Sequence, residues 1–285
     1  MDFLLFIQTV LMGIVQGITE WLPISSTGHL ILFDQFLKMD VSGIFMETFK
    51  VVIQFGSILA VLVIYWQKLN PFASKSEINS YKIGNSLALK KSTINLYLKV
   101  LVGVIPAGVV GILFDDIIEG YLSSPVVIAA ALVIYGIIFI IVENRKFEPK
   151  YSDLDNLTYK TAFLIGAFQV LALIPGTSRS GSTIIGAVII GCSRFVAAEF
   201  SFFLAIPVML GASALKLLKA FMAGVVFTGA EWFTLILGTL VSFGVSVLAI
   251  KFLMGYIRKH DFKGFGYYRI VLGIIILLYY LLALK

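Results

Sequence analysis

The chain has 285 residues, of which 59% are hydrophobic and 13% charged, and its mean hydropathy is +0.99. That balance excludes a water-soluble domain of this size and makes the bilayer the solvent. The net charge of +6 does not point to nucleic acid, because Lys and Arg lie mainly in loops between apolar runs, where they set orientation.

The first region, Phe3–Leu37, holds two short apolar pieces separated by Glu20-Trp-Leu-Pro-Ile-Ser-Ser-Thr-Gly-His29. Each piece is too short to cross the hydrocarbon, and Pro23 stands where a helix would break, so the segment reads as a re-entrant hairpin. No signal peptide is expected, since Asp2 precedes the apolar run and no Lys or Arg leads it. Gln16 and Glu20 are spaced i, i+4 and share one helix face. A carboxylate at this depth is a functional hypothesis by default; a plain helix cap is the bland alternative. Ser25, Ser26, Thr27 and Gly28 open the returning half-helix, whose free N–H groups and dipole favour an anion. His29 beside them reads as a helix-contact donor, a general acid/base or a nucleophile.

Three spans of about 20 residues follow, Glu47–Trp66, Leu96–Phe114 and Pro125–Val142. Between the first two, Gln67–Lys99 carries Lys68, Lys75, Lys82, Lys90, Lys91 and Lys99 against the acid Glu77. The positive-inside rule makes this loop cytoplasmic. Threading from it puts a loop with Asp115, Asp116 and Glu119 outside and the Arg258, Lys259, Lys263 loop inside.

A second interrupted region, Ala162–Cys192, is broken by Pro175-Gly-Thr-Ser-Arg-Ser-Gly-Ser-Thr183. Its Arg179 offers a planar fork suited to phosphate oxygens, with a buried salt bridge to Glu20 as the alternative reading. Ser178, Ser180 and Thr183 add hydroxyls. The single cysteine, Cys192, rules out an internal disulfide and reads as a buried packing residue. The spans Phe200–Leu218, Trp232–Met254 and Tyr267–Leu284 complete the chain.

The expected architecture is therefore all-α and polytopic, with six transmembrane helices and two re-entrant hairpins. It divides into two repeats, residues 1–150 and 151–285, each a hairpin plus three spans. Gln16 and Gln169 open the two motifs, Ser26 and Ser178 follow their prolines at equal distance, and Glu47 and Glu199 each precede a long span. The hairpins enter from opposite sides, which makes an inverted repeat with both termini outside. Opposed half-helix tips would gather hydroxyls, Arg179, His29 and Glu20 around one pyrophosphate. Glu20, with Gln16, is a reasonable place for Mg²⁺.

At these residues the chain resembles the undecaprenyl-pyrophosphate phosphatases of the bacitracin-resistance type, in Gln16-Gly-Ile-Thr-Glu20-Trp-Leu-Pro-Ile-Ser-Ser-Thr-Gly-His29 and Pro175-Gly-Thr-Ser-Arg-Ser-Gly-Ser-Thr183. The likeness extends through Val51-Val-Ile-Gln-Phe-Gly-Ser-Ile-Leu-Ala60 and Glu199-Phe-Ser-Phe. The resemblance implies hydrolysis of a polyisoprenyl pyrophosphate to the monophosphate for peptidoglycan synthesis. It implies a site open to the outer face of the bacterial cytoplasmic membrane, a divalent cation (Mg²⁺ or another such as Ca²⁺) and a homodimer. Glu20, Ser26, His29 and Arg179 match the family's catalytic positions, with Ser26 the first choice as nucleophile and His29 as acid/base. Ser178 and Thr183 match its phosphate-contacting positions; one departure is Gln16, where many members carry Glu.

The rival reading is a lipid or anion transporter on the same inverted repeat, which needs no nucleophile. The other membrane phosphatase superfamily fits less well, since Ile185 stands where its second histidine falls six residues after a Ser-Arg pair.

Overall fold

The computed structural model describes residues 3–73, 79–83, 87–122, 124–145, 148–222 and 224–283, with only the backbone described at 83, 87, 115–120 and 283. Among these residues six helices are long and apolar enough to cross a membrane. They are α3 (Gly43–Ile64), α5 (Lys91–Leu122), α6 (Pro125–Asn144), α9 (Arg194–Met222), α10 (Gly229–Tyr256) and α11 (Lys263–Ala283). All six expected spans are present, most starting a turn or more earlier than the hydrophobic runs suggest. The first turns of α3, α6 and α10 are closed by local caps: Ser42, Ser124 and Thr228 accept from backbone N–H groups, and Thr228 forms a capping box with Glu231.

Both interrupted regions fold as hairpins of short helices. The first pairs α1 (Phe3–Thr19, 17 residues) with α2 (Ser26–Leu37, 12 residues). The second pairs α7 (Tyr159–Gln169, 11 residues), continued by a 3₁₀ turn at Val170–Leu173, with α8 (Arg179–Ile190, 12 residues). At 1.5 Å per residue each arm reaches only roughly 16–26 Å, short of the ~30 Å hydrocarbon thickness.

Two features depart from the sequence reading. The basic loop contains α4 (Trp66–Leu69) and a two-stranded antiparallel hairpin, β1 (Ser80–Ile83) with β2 (Leu87–Lys90), in register Tyr81 with Leu89; Lys75 and Glu77 lie outside the described residues. The stretch with Asp115, Asp116 and Glu119, expected as a loop, is backbone of α5, because nothing breaks that helix before Ser124 caps α6. The side chains of those acids, and the C-terminal Lys285, lie outside the described residues.

Helix contacts recur with the halves exchanged. Helix α1 packs on α10 and α7 on α5; α3 packs on α10 and α9 on α5; α6 packs on α11. Lipid offers no hydrophobic drive for helix association, so small residues that admit a neighbouring backbone set these contacts. A Cβ on Gly238 of α10 would lie 2.7 Å from Phe49 Cε2 and 2.9 Å from Ile53 Cγ2 of α3. One on Gly103 of α5 would lie 2.7 Å from Leu204 Cδ2 and 3.7 Å from Phe200 Cζ of α9. Gly136 of α6 meets the Gly266 carbonyl and Ile270 of α11, while Gly273 of α11 meets the Ala129 carbonyl and Val133 of α6.

The two returning helices are enclosed unequally. Every residue of α8 from Ser180 to Val188 is buried, with α7 and α9 packed on it, whereas α2 buries only Gly28, His29 and Leu30. The second tip is thus set into protein, and the first leaves its far face open.

Candidate active site

The two tips share one backbone device. Ser25 has φ 74° and Ser178 φ 75°, and each caps its helix by accepting from the N–H of the glycine three residues on, Gly28 at 3.3 Å and Gly181 at 3.0 Å. A left-handed non-glycine residue costs about 1–2 kcal/mol and persists only where its surroundings hold it. Arg269 of α11 supplies the hold: Nη1 donates to Pro23 O at 3.2 Å, and Nη2 to Gly176 O and Thr177 O at 2.9 Å each. Its guanidinium is fully buried and lies over the rings of Tyr135 and Phe139, 5.6 and 5.9 Å from their centroids.

The caps also correct one sequence equivalence. Ser25, not Ser26, is the counterpart of Ser178, because two residues carry the chain from Pro23 to its cap and three from Pro175. Ser26 and Arg179 therefore occupy matching first positions of α2 and α8. Glu47 and Glu199, expected just ahead of long spans, instead lie inside α3 and α9, Glu47 mostly exposed beside Lys216 and Glu199 buried against Lys68.

Glu20 joins the two tips. Its Oε1 accepts from Arg179 Nη2 at 2.8 Å, and its Oε2 accepts from Ser26 Oγ at 2.9 Å and Gln16 Nε2 at 3.0 Å. The Gln16–Glu20 spacing thus puts both on one face, with the Glu20 N–H still bonded to Gln16 O as a last turn of α1. Glu20 is 6% exposed.

Arg179 is steered from α9. Its Nη1 donates to Ser201 O at 2.9 Å and Ser201 Oγ at 3.3 Å, and its guanidinium lies 5.5 Å from the Trp21 ring centroid. Thr183, one turn along α8, bonds Ser201 Oγ at 2.6 Å and is fully buried, so it supports that contact from behind. Ser180 is buried and reaches Leu22 O at 3.3 Å and Ser178 Oγ at 3.1 Å. The Ser26, Thr27, Ser178 and Arg179 side of the tips is where the constellation meets the exterior, since these four keep accessible surface.

Both ring nitrogens of His29 are engaged by groups other than Ser26. Nδ1 lies 2.7 Å from Ser25 O, and Nε2 lies 2.7 Å from Tyr268 Oη. His260 is exposed in the loop before α11, as expected, and stacks on Tyr256.

No group of three or more His, Cys, Asp or Glu side chains is placed to hold a metal among the described residues. A cation shared with a pyrophosphate needs only one or two side-chain oxygens, however. Glu20 supplies a carboxylate, and Gln16 Oε1, buried and without a partner, supplies a second oxygen beside it. The donor set fits such an ion.

Sequence reasoning missed Arg269, Tyr268 and Ser201. Starting the last span at Tyr267 put the first two at its edge, where Tyr and Arg are ordinary interfacial anchors; α11 begins at Lys263, a turn earlier, and buries Arg269 while Tyr268 stays partly exposed. An arginine inside a span was the signal available. Ser201 gave none, since its partnership with Arg179 depends on how α9 packs.

The comparisons agree over the whole chain. The family model for bacitracin resistance protein BacA matches residues 9–275. Undecaprenyl-diphosphatase 1 of Clostridioides difficile (strain 630) is 62% identical over 275 residues, 96% of each chain. Undecaprenyl-diphosphatases of Lachnoclostridium phytofermentans and Enterococcus faecalis are 56% and 55% identical, the first covering 99% of this chain and 100% of the relative, the second 98% of each. With the interrupted hairpins, the Glu20 node and a match of this extent together, the chain belongs to the bacitracin resistance protein BacA family.

Proposed function

We propose that this multi-pass protein hydrolyses undecaprenyl pyrophosphate to undecaprenyl phosphate and inorganic phosphate, returning the lipid carrier to peptidoglycan synthesis and opposing bacitracin. The observation that carries the reading is the Glu20 node, which ties Ser26 of one tip to Arg179 of the other, 153 positions later in the chain (179 − 26), through one carboxylate.

In this reading Ser26 Oγ attacks the terminal phosphorus and passes its proton to Glu20 Oε2, its present hydrogen-bond acceptor. The bond from phosphorus to the bridging oxygen breaks and the lipid monophosphate leaves. Water then releases phosphate from Ser26, and the proton returns to Oγ. Arg179 exchanges Glu20 for phosphoryl oxygens and offsets the developing charge, guided by Ser201. The N-termini of α2 and α8 add backbone N–H groups and dipoles of the right sign. Because both nitrogens of His29 are engaged elsewhere, Ser26 is the better-supported nucleophile, and His29 serves in proton handling. Glu20 and Gln16 would hold a divalent cation, Mg²⁺ or Ca²⁺, which neutralises phosphate charge when bound.

Two further parts of the reading concern placement. Residues 1–150 and 151–285 are repeats of opposite topology, supported by the exchanged glycine contacts of α10 with α3 and α5 with α9. The site opens toward the outer face of the bacterial cytoplasmic membrane, supported by the basic loop between α3 and α5.

The same reciprocal packing favours a lipid carrier as the second reading. Phosphate release from long-chain polyprenyl pyrophosphate separates them, with wild type, Ser26→Ala, His29→Ala and Arg179→Ala run in parallel. Release by wild type with loss in Ser26→Ala and Arg179→Ala is expected; no release by reconstituted wild type with Mg²⁺ present would favour the carrier.

A further inference from the structure

Helix α11 places two consecutive side chains against the tips. Arg269 holds backbone carbonyls of both, and Tyr268 reaches the one imidazole among them. The geometry fixes how that imidazole is protonated. Nδ1 of His29 lies 2.7 Å from the backbone carbonyl of Ser25, which can only accept, so Nδ1 carries the hydrogen. In the neutral ring the remaining lone pair is on Nε2, and the Tyr268 hydroxyl donates to it at 2.7 Å. The two rings are parallel to within 4°, with centroids 5.6 Å apart. His29 is 5% exposed and Tyr268 46%. Turning the ring would break both bonds at once, in a place where water has little access to replace them.

We infer that Tyr268 is a positioning residue for the hydrolysis: the Ser25 carbonyl sets the Nδ1-protonated tautomer of His29, and the Tyr268 hydroxyl orients the ring and Nε2, the one nitrogen left with a lone pair for proton exchange. The inference rests on the phosphatase reading for its kinetic consequence, and on the two hydrogen bonds alone for its structural one. Histidine at a reacting centre works in one tautomer, which is set by whatever its other nitrogen bonds. Here the ring has a partner at each nitrogen, a carbonyl from its own helix cap and a phenol from a helix 239 residues away. The arrangement explains why a tyrosine lies one residue before the buried arginine: the same turn of α11 sets the tip backbone and the imidazole on it.

Two measurements test this. In kinetics, Tyr268→Phe keeps the ring and the packing and removes only the hydroxyl; kcat is expected to fall about tenfold, the weight of one buried hydrogen bond, with KM unchanged. His29→Ala combined with Tyr268→Phe should then be no slower than His29→Ala alone, since the tyrosine acts through the histidine. In spectroscopy, ¹⁵N-imidazole NMR on a His260→Gln background isolates His29. Its spectrum should show the Nδ1-protonated form in both proteins, with the Nε2 resonance moving downfield after Tyr268→Phe as its lone pair loses the hydroxyl donor.

Full activity in Tyr268→Phe, or losses that multiply in the double variant, would overturn the inference, as would an unchanged Nε2 resonance. Wild type that releases no phosphate would sink the phosphatase reading instead, and the NMR result would still decide the role of Tyr268.

Discussion

Ser25 and Ser178, in hairpins 153 residues apart by position (178 − 25), adopt the same left-handed backbone and cap their helices with the same bond to a glycine N–H. Both strained residues follow directly on carbonyls that Arg269 holds or lie one residue beyond them. The site geometry is therefore set by a side chain that belongs to neither hairpin.

Arg269→Met should destabilise the protein more than any substitution at the exposed edge of the tips. It would leave the Pro23, Gly176 and Thr177 carbonyls without their donor, at about 1–3 kcal/mol for each that finds no other. The melting temperature in detergent should fall by several degrees or more, and a variant that melts with wild type would contradict the clamp.

Arg179→Ala is expected to lose on the order of 10² to 10³ in kcat, as when a single donor to a developing oxyanion is removed. Arg179→Lys should recover little, because a point charge cannot span Ser201 and a phosphoryl oxygen as the fork does. Phosphate-release rates for the pair check this; near-complete recovery by lysine would mean that charge alone suffices.

A Cβ on Gly166 of α7 would run into the Gly103 carbonyl of α5, whereas one on Gly211 of α9 meets nothing within 4 Å. Gly166→Ala should cost about 1–3 kcal/mol through overpacking. Gly211→Ala should be neutral or slightly stabilising, because alanine is the better helix former. Thermal unfolding of the two in the same detergent is the comparison, and equal melting temperatures would argue against close packing of α5 on α7.

Cys192, between α8 and α9, is 4% exposed, and burial pushes its thiol up to about 12. At pH 7–8 it should stay protonated and resist maleimide in the folded protein, then react fully after denaturation. Rapid labelling of the native protein would show that the seam between α8 and α9 opens.

Much of this was legible in the chain. The six spans follow from apolar runs near the bilayer thickness, and the hairpins from Pro23 and Pro175 standing among hydroxyl-rich residues between arms too short to cross. Gln16 and Glu20 declared their shared face by spacing, and the union of Glu20 with Arg179 was one of two readings of an arginine in the opposite break; the structure contains that pair. What escaped was long-range. The anchor role of Arg269 exists only because α11 packs on α6 beside both tips, and no local pattern encodes that. The hydroxyl partner of His29 lies in the same turn and was hidden for the same reason. The off-by-one match of Ser26 with Ser178 arose from counting from the prolines, when the geometry the two tips share is the distance from cap to glycine.

The corrected match also bears on why the two tips differ in sequence. Ser26 and Arg179 hold the same place, the first residue of a capped half-helix, in two hairpins that face one another. Two identical hairpins would set hydroxyl against hydroxyl, or guanidinium against guanidinium, and neither arrangement supplies both an attacking oxygen and a cation. Only hairpins that differ in sequence at this one position can divide the labour between a hydroxyl and a cation.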